Sequence, residues 1–164
     1  MQLSLLKSIW SADRGAALVE SAIILPVFLT LVGGVYEFGF FLYQQQLATS
    51  GVRDAARYLS LTADPSSSTN QFEAKTLATT GSIAGGANRI AGWSASDLTV
   101  AIDSVDNAAG TYSGGSTIQI VTVSTHFTDR SLGFLSLLGM KAPTIAVSHQ
   151  ERVVGGSAPQ QGSL

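Results

Sequence analysis

The sequence predicts an α+β fold, in which a long amino-terminal helix and a second helix accompany a small, mainly antiparallel sheet of three strands. The first third of the chain is mostly apolar. Charged residues make up only 12% of the whole chain, about half the usual share for a soluble domain. The second half holds three stretches that are alternating or β-branched, separated by turn-forming residues. With 164 residues, the chain has room for one domain and an anchoring segment.

The long helix is predicted to run from Ala16 to about Leu61. From Ala16 to Tyr43 the chain is apolar except for two glutamates and a few small polar residues. At about 1.5 Å per residue, this stretch forms roughly 40 Å of helix, which is enough to cross a bilayer. The following residues contain no helix breaker except Gly51, so an amphipathic half is expected to pack on a head domain. Its apolar positions at helical spacing are Leu47, Val52, Ala55, Ala56 and Leu59.

A second helix is predicted for Gln71 to Ile90, broken or frayed at Gly81, Gly85 and Gly86, after a turn-rich break that includes Pro65. The apolar segment "SLGFLSLLGM" (131–140) is interpreted as a short helix that closes the core, with a membrane or partner contact as the alternative. Residues 155–164 are predicted to form a disordered tail.

The three strands are predicted from alternation and β-branching. The middle one is apolar on both faces near its start, which is typical of a central strand. The predicted segments are "DLTVAIDSV" (97–105), "STIQIVTVSTHF" (116–127) and "PTIAVSHQERVV" (143–154).

The charge flanking the apolar run predicts a single-pass topology. Before it, Lys7, Arg14 and the amino terminus outweigh the single Asp13. Positive flanks tend to stay in the cytoplasm, so the remainder of the chain is expected to lie outside the cytoplasm.

Glu20 lies inside the apolar run, and an ionisable group at membrane depth indicates a function because it is expensive to hold there. The alternative is a chance acid near a helix start, where the macrodipole tolerates it. Gly33 and Gly34 permit close approach of another helix, or are ordinary membrane-helix glycines. Arg53, Asp54 and Arg57 are expected to form a solvated face and not a site.

Composition and motifs exclude several functional classes. A net charge of -2 carries no polybasic signal, so no nucleic-acid partner is predicted. The chain has no cysteine, and His126 and His149 lack the spacing of a metal site. It contains no nucleophile elbow, phosphate-binding loop or zinc-binding helix motif, so no catalytic residue, metal or cofactor is predicted.

The string "RG" followed by "AALVE" resembles the processing site of type IV prepilins, in which a peptidase cuts after a glycine and a glutamate is fifth in the mature chain. Counted from Ala16, Glu20 is fifth. The longer stretch from residue 13 to 61, which includes "RDAAR", resembles the amino-terminal segment of TadE-like proteins, the minor pilins or pseudopilins of the tight adherence (Tad) pilus.

This resemblance implies a domain organisation and a set of partners. The leader would be 1–15, cut between Gly15 and Ala16, followed by a transmembrane and assembly helix at 16–43, an α+β head at 44–154 and the tail. The implied partners are a prepilin peptidase, other pilin and minor pilin subunits, the Tad assembly machinery and the lipid bilayer. Major Tad pilins are very short and usually have tyrosine after the glutamate. Ser21 and the sizeable head therefore favour a minor subunit. They do not distinguish a TadE-like subunit from a TadF-like one.

Three alternatives remain at this point. The first alternative is an unprocessed, signal-anchored protein whose head binds a ligand or surface outside the cytoplasm. Ordinary secretory cleavage would give a mature start near Thr49. An enzyme would require a convergent polar pocket in the head.

Overall fold

The structure is a computed structural model that describes residues 3–112, 115–128, 133, 136 and 139–155, with side chains described from residue 15 onward. It confirms the predicted α+β class. The elements are α1 (Leu3–Leu61), α2 (Ser68–Thr80), a 3-10 turn (Ala95–Asp97), β1 (Leu98–Asp106), β2 (Thr117–Thr128) and β3 (Thr144–Arg152). The chain divides into two compact units, Met1–Phe40 and Phe41–Leu164, which are described separately.

In the amino-terminal unit, α1 begins at Leu3, well before the predicted start at Ala16. The segment before Gly15 contains no proline and is rich in leucine and other good helix formers, so nothing in it interrupts a helix. Pro26 lies within the helix, where it lacks the N–H that would bond to the preceding turn. The hydroxyl of Thr30 donates a hydrogen bond of 2.8 Å to the Pro26 carbonyl oxygen.

In the second unit, the three strands lie in the order β1-β2-β3, and both neighbouring pairs are antiparallel. The expected central place of the middle strand is confirmed. Buried side chains of the sheet form one core with buried residues from the last turns of α1, from α2 and from the segment that follows α2. The buried apolar core comprises Ala48, Val52, Ala55, Ala56, Leu59, Ala74, Ala78, Ile90, Trp93, Leu98, Val121, Val123, Phe127 and Ile145.

Trp93 is the largest fully buried side chain of this core. Its ring stacks on Phe127 with 5.6 Å between centroids. Its indole N–H donates a 2.9 Å hydrogen bond to the Thr125 hydroxyl, which in turn donates to the Asp97 carbonyl oxygen at 3.0 Å. The buried polar atoms beside the indole are therefore satisfied, as burial demands.

Helix α2 ends at Thr80, so the predicted break at Gly81 is confirmed, whereas the predicted extent to Ile90 is wrong. Gly81 adopts a left-handed conformation with φ of 85°, and its N–H bonds to the Leu77 carbonyl oxygen at 2.8 Å. This geometry terminates a helix at glycine instead of fraying it. Beyond it the chain returns to α1, where Arg89 pairs with Asp54 at 2.8 Å.

The carboxyl-terminal end of β3 is tied to the last turn of α1. The N–H groups of Val154 and Gly155 both donate to the Ser60 carbonyl oxygen, at 2.8 and 3.0 Å. These bonds satisfy a carbonyl that the helix end leaves without an intrahelical partner. The predicted tail beyond Gly155 lies outside the described residues, as does most of the segment 131–140, including the short helix predicted there.

Candidate functional site

The amino-terminal helix has an apolar surface that is exposed all round. Its most apolar 18-residue window, within Gly15–Leu61, has a mean hydropathy of 2.1, and none of that window is buried. Large apolar side chains exposed to the outside include Leu18, Val19, Ile23, Ile24, Leu25, Val27, Phe28, Leu29, Leu31, Val32 and Val35. One long apolar helix of this kind fits a single-pass membrane anchor.

The residues of the predicted cleavage motif from Gly15 to Glu20 lie on this helix and are exposed. A side chain at Gly15 would meet no other atom within 4 Å. Ala16 and Glu20 are four residues apart, so they share one face of the helix, about 6 Å along its axis. In the intact chain the Ala16 nitrogen belongs to a peptide bond and carries no positive charge. The structure therefore shows where Ala16 and Glu20 lie, but not a charged amine beside the carboxylate.

Gly33 and Gly34 are partly exposed, and a side chain at Gly34 would meet nothing within 4 Å. Aromatic residues follow directly, with Tyr36 and Phe40 stacked at 6.5 Å between ring centroids. Tyrosine is enriched at membrane–water interfaces, where its ring is amphipathic. Glu37, in the same stretch, is buried, whereas Glu20 is exposed.

The part of the chain that is described contains no cluster of side chains that could hold a metal ion. No three His, Asp or Glu side chains there come together as ligands. His126 is exposed. The ring nitrogen Nε2 of His149 lies 3.0 Å from a carboxylate oxygen of Glu151.

The sequence did not predict two features of the head, because each joins residues that are distant in the chain. Tyr58 on α1 donates a hydrogen bond to the Glu73 carboxylate on α2. A groove of about 330 Å³, called the Arg57 groove here, lies between the end of α1 and the end of β3. It is lined by Arg57, Ser60, Leu61, Glu151, Arg152 and Val154.

Residues 15–57, about a quarter of the chain, match the family model described as TadE-like protein. The match confirms the resemblance predicted for the amino-terminal segment. It is consistent with a TadE-like pilin of the Tad pilus, over this amino-terminal segment. No curated protein and no solved structure matches the sequence.

Proposed function

We propose that the chain is a minor pilin or pseudopilin subunit of a tight adherence pilus, cut after Gly15 by a prepilin peptidase and acting in pilus assembly and adhesion. The main support for this proposal is the position at which the family match begins. It starts at Gly15, the residue that precedes the proposed cut, and continues through the apolar helix. The size of the head favours a minor subunit.

In this proposal, residues 1–15 are a leader and residues 16–43 hold the mature chain in the inner membrane. The head, 44–154, lies outside the cytoplasm, and 155–164 is a tail. The positive residues of the leader, Lys7 and Arg14, support this orientation because positive flanks tend to remain cytoplasmic.

Glu20 is proposed to act as the counter-charge of the amine that cleavage creates on Ala16. The two groups are one helical turn apart, within one chain or between neighbours, and mutual neutralisation lowers the cost of holding either in lipid. Because Glu20 is exposed on a helix whose whole apolar surface is open, an adjacent pilin helix has access to it. Pairing between chains would also set the register of neighbouring subunits.

Gly33 and Gly34 are proposed as the place where a neighbouring pilin helix approaches most closely. The open space around Gly34 leaves room for that helix, and small residues let membrane helices come within packing distance. Together with the proposed cleavage, this gives as proposed partners the prepilin peptidase, other pilin and minor pilin subunits, and the Tad assembly machinery.

The Glu20 hypothesis is tested by replacing the carboxylate in cells that carry the peptidase and the other pilus components. We expect Glu20→Gln to be cut normally, since the cleaved bond is unchanged, but to lose co-purification with other pilins. Glu20→Asp, which keeps the charge, is expected to retain part of it. Ser21→Ala is the matched control. Wild-type association of Glu20→Gln would contradict charge pairing.

A signal-anchored protein that keeps its leader is the second candidate. The continuous helix from Leu3 favours it, because the leader and the anchor then form one uninterrupted element. The mature amino terminus separates the two candidates.

A further inference from the structure

The sheet of the head ends in two open edges. Strands β1 and β3 each pair with β2 on one side, and among the described residues no backbone hydrogen bond joins the other side of either strand to another element. Half of the N–H and C=O groups of an edge strand point away from the sheet and form a template for a further strand. The head therefore offers two places at which another chain can extend the sheet.

The edge of β3 lacks the features that usually prevent such pairing. Its register with β2 runs without a bulge from Thr144 to Arg152, and the strand contains no proline. Its first half carries no charge, and the side chains of Ala146, Ser148 and Gln150 are small or neutral and exposed. Proteins protect sheet edges with charges, prolines and bulges. The first half of β3 has none of these and is open to a partner strand.

The edge of β1 is acidic. Asp103 and Asp106 are its only charged residues, and both are exposed. If β1 paired with β1 of a second copy, the carboxylates of both strands would share one edge without any basic residue, and like charges on neighbouring strands are destabilising. β3 is a better partner for this edge, because its one acid, Glu151, already lies 3.0 Å from the ring of His149.

A shared membrane disfavours antiparallel pairing of either edge with itself. Such pairing needs a two-fold axis normal to the sheet, which reverses every direction that lies in the plane of the sheet. Buried residues of α1 from Ala48 to Leu59 share one core with the sheet over about three turns, so this part of α1 runs along the sheet. In an antiparallel pair the two α1 helices would leave the heads in opposite directions, whereas chains anchored in one membrane need them on the same side. The membrane constraint rests on the proposed anchoring and not on cleavage after Gly15.

We propose that β3 of one copy pairs in parallel with β1 of a second copy, so that the sheet continues from one head to the next. β1 and β3 run in the same direction, because both are antiparallel to β2. A second copy in the same orientation therefore brings its β1 alongside β3, with both α1 helices leaving on the same side. The contact joins two different edges and leaves one of each free, so it can extend along a filament.

The rows of the sheet define the register of this contact. Thr99, Ser124 and Ser148 lie in one row across the three strands. When the row continues into the second copy, Ser148 lies beside Thr99 of that copy. In the same register Asp103 of the second copy lies beside Arg152, because these two residues share a row within one sheet. The acidic edge of β1 thus meets a base and not another acid.

Disulfide cross-linking tests the pairing, because the chain has no cysteine of its own. Full-length Thr99→Cys and Ser148→Cys chains with different tags are co-expressed in cells without prepilin peptidase, and their membranes are oxidised with copper phenanthroline. Both positions are exposed. Neighbouring strands lie about 4.8 Å apart, within the span that a disulfide bridges. We expect a cross-linked dimer that carries both tags.

Ser124→Cys replaces Ser148→Cys in the matched control. Ser124 lies in the same row but on the central strand, about 10 Å from the second copy's β1, which is too far for a disulfide. We expect this mixture to give at most about a tenth of the dimer. The Thr99→Cys and Ser148→Cys chains, each expressed alone, are expected to give no more than this control, because identical edges do not meet.

Two results would overturn the pairing while the chain is in the membrane fraction. One is a mixed dimer no more abundant than in the Ser124→Cys control. The other is an equal yield from Ser148→Cys alone or Thr99→Cys alone, which would show that identical edges meet. Absence of the chain from the membrane fraction would contradict the proposed anchoring together with the pairing. Cleavage plays no part in these outcomes, since the cells lack the peptidase.

Discussion

At the scale of single residues, the bond between Tyr58 and Glu73 joins two helices through their side chains. The hydrogen bond to Glu73, followed by burial and the negative charge of Glu73, raises the pKa of Tyr58 above its ordinary value of 10.0. The protonated hydroxyl is thus favoured in the folded state. Tyr58 belongs to the head unit and not to the apolar segment of the amino-terminal unit.

Tyr58 should make stability depend on pH in the alkaline range. A raised folded pKa gives stability that is fully present below the unfolded value, about 10, and is lost as pH rises through the folded value. We expect Tyr58→Phe to lower the unfolding free energy by about 1 kcal/mol near neutral pH, with a smaller difference above pH ~10. Denaturant unfolding in micelles from neutral to alkaline pH measures this.

Tyr112→Phe is the control for the pH experiment, since its exposed hydroxyl has no such bond to an acid among the described residues. If Tyr58→Phe were as stable as the wild type at neutral pH, the hydrogen bond would contribute nothing to folding.

At the scale of elements, Gly51 allows α1 to approach α2. A side-chain carbon there would lie 2.4 Å from the Ala78 carbonyl oxygen and 2.8 Å from the Trp93 ring. Neither neighbour can yield easily, because one is helix backbone and the other is fully buried.

The substitution Gly51→Ala is expected to destabilise the head by about 1–3 kcal/mol through overpacking. Gly39→Ala is the control in the same helix, since a side chain there meets nothing within 4 Å. Thermal unfolding in micelles should show a lower midpoint for Gly51→Ala alone. Equal midpoints for both variants would mean that the helices separate without cost.

Much of the fold was predictable because local patterns determine it. The end of α1 at Leu61 and the three strands follow from periodicity, and the observed limits agree within two residues. The exact end of α2 was not predictable, because a glycine inside a helical pattern can either interrupt the helix or cap its end. Gly81 caps it through its left-handed backbone, which the sequence does not record.

The candidate site was predictable to the extent that it is contiguous in the chain. Gly15, Ala16 and Glu20 fall within six residues, so one short motif was enough to select them. Arg57 was predicted to be solvated, and it is exposed in the structure. That it also borders a groove beside the end of β3 was not predictable, because β3 lies far along the chain and no spacing rule connects the two positions.

At the scale of the whole molecule, the two units use apolar residues in opposite ways. The head buries its apolar side chains in a core of its own, whereas residues 18–35 expose theirs on every side of a helix. A large exposed apolar surface indicates contact with lipid or with other proteins. An anchor of this kind becomes an assembly surface if cleavage creates a charged amine one turn from Glu20.

The mass of the mature chain tests the central claim most directly. The full-length chain is expressed with and without an active prepilin peptidase, and the membrane-extracted protein is analysed by intact-mass spectrometry. We predict loss of residues 1–15 only when the peptidase is active, which leaves Ala16 as the amino terminus. Retention of residues 1–15 in the presence of an active peptidase, or a start near Thr49, would contradict the account.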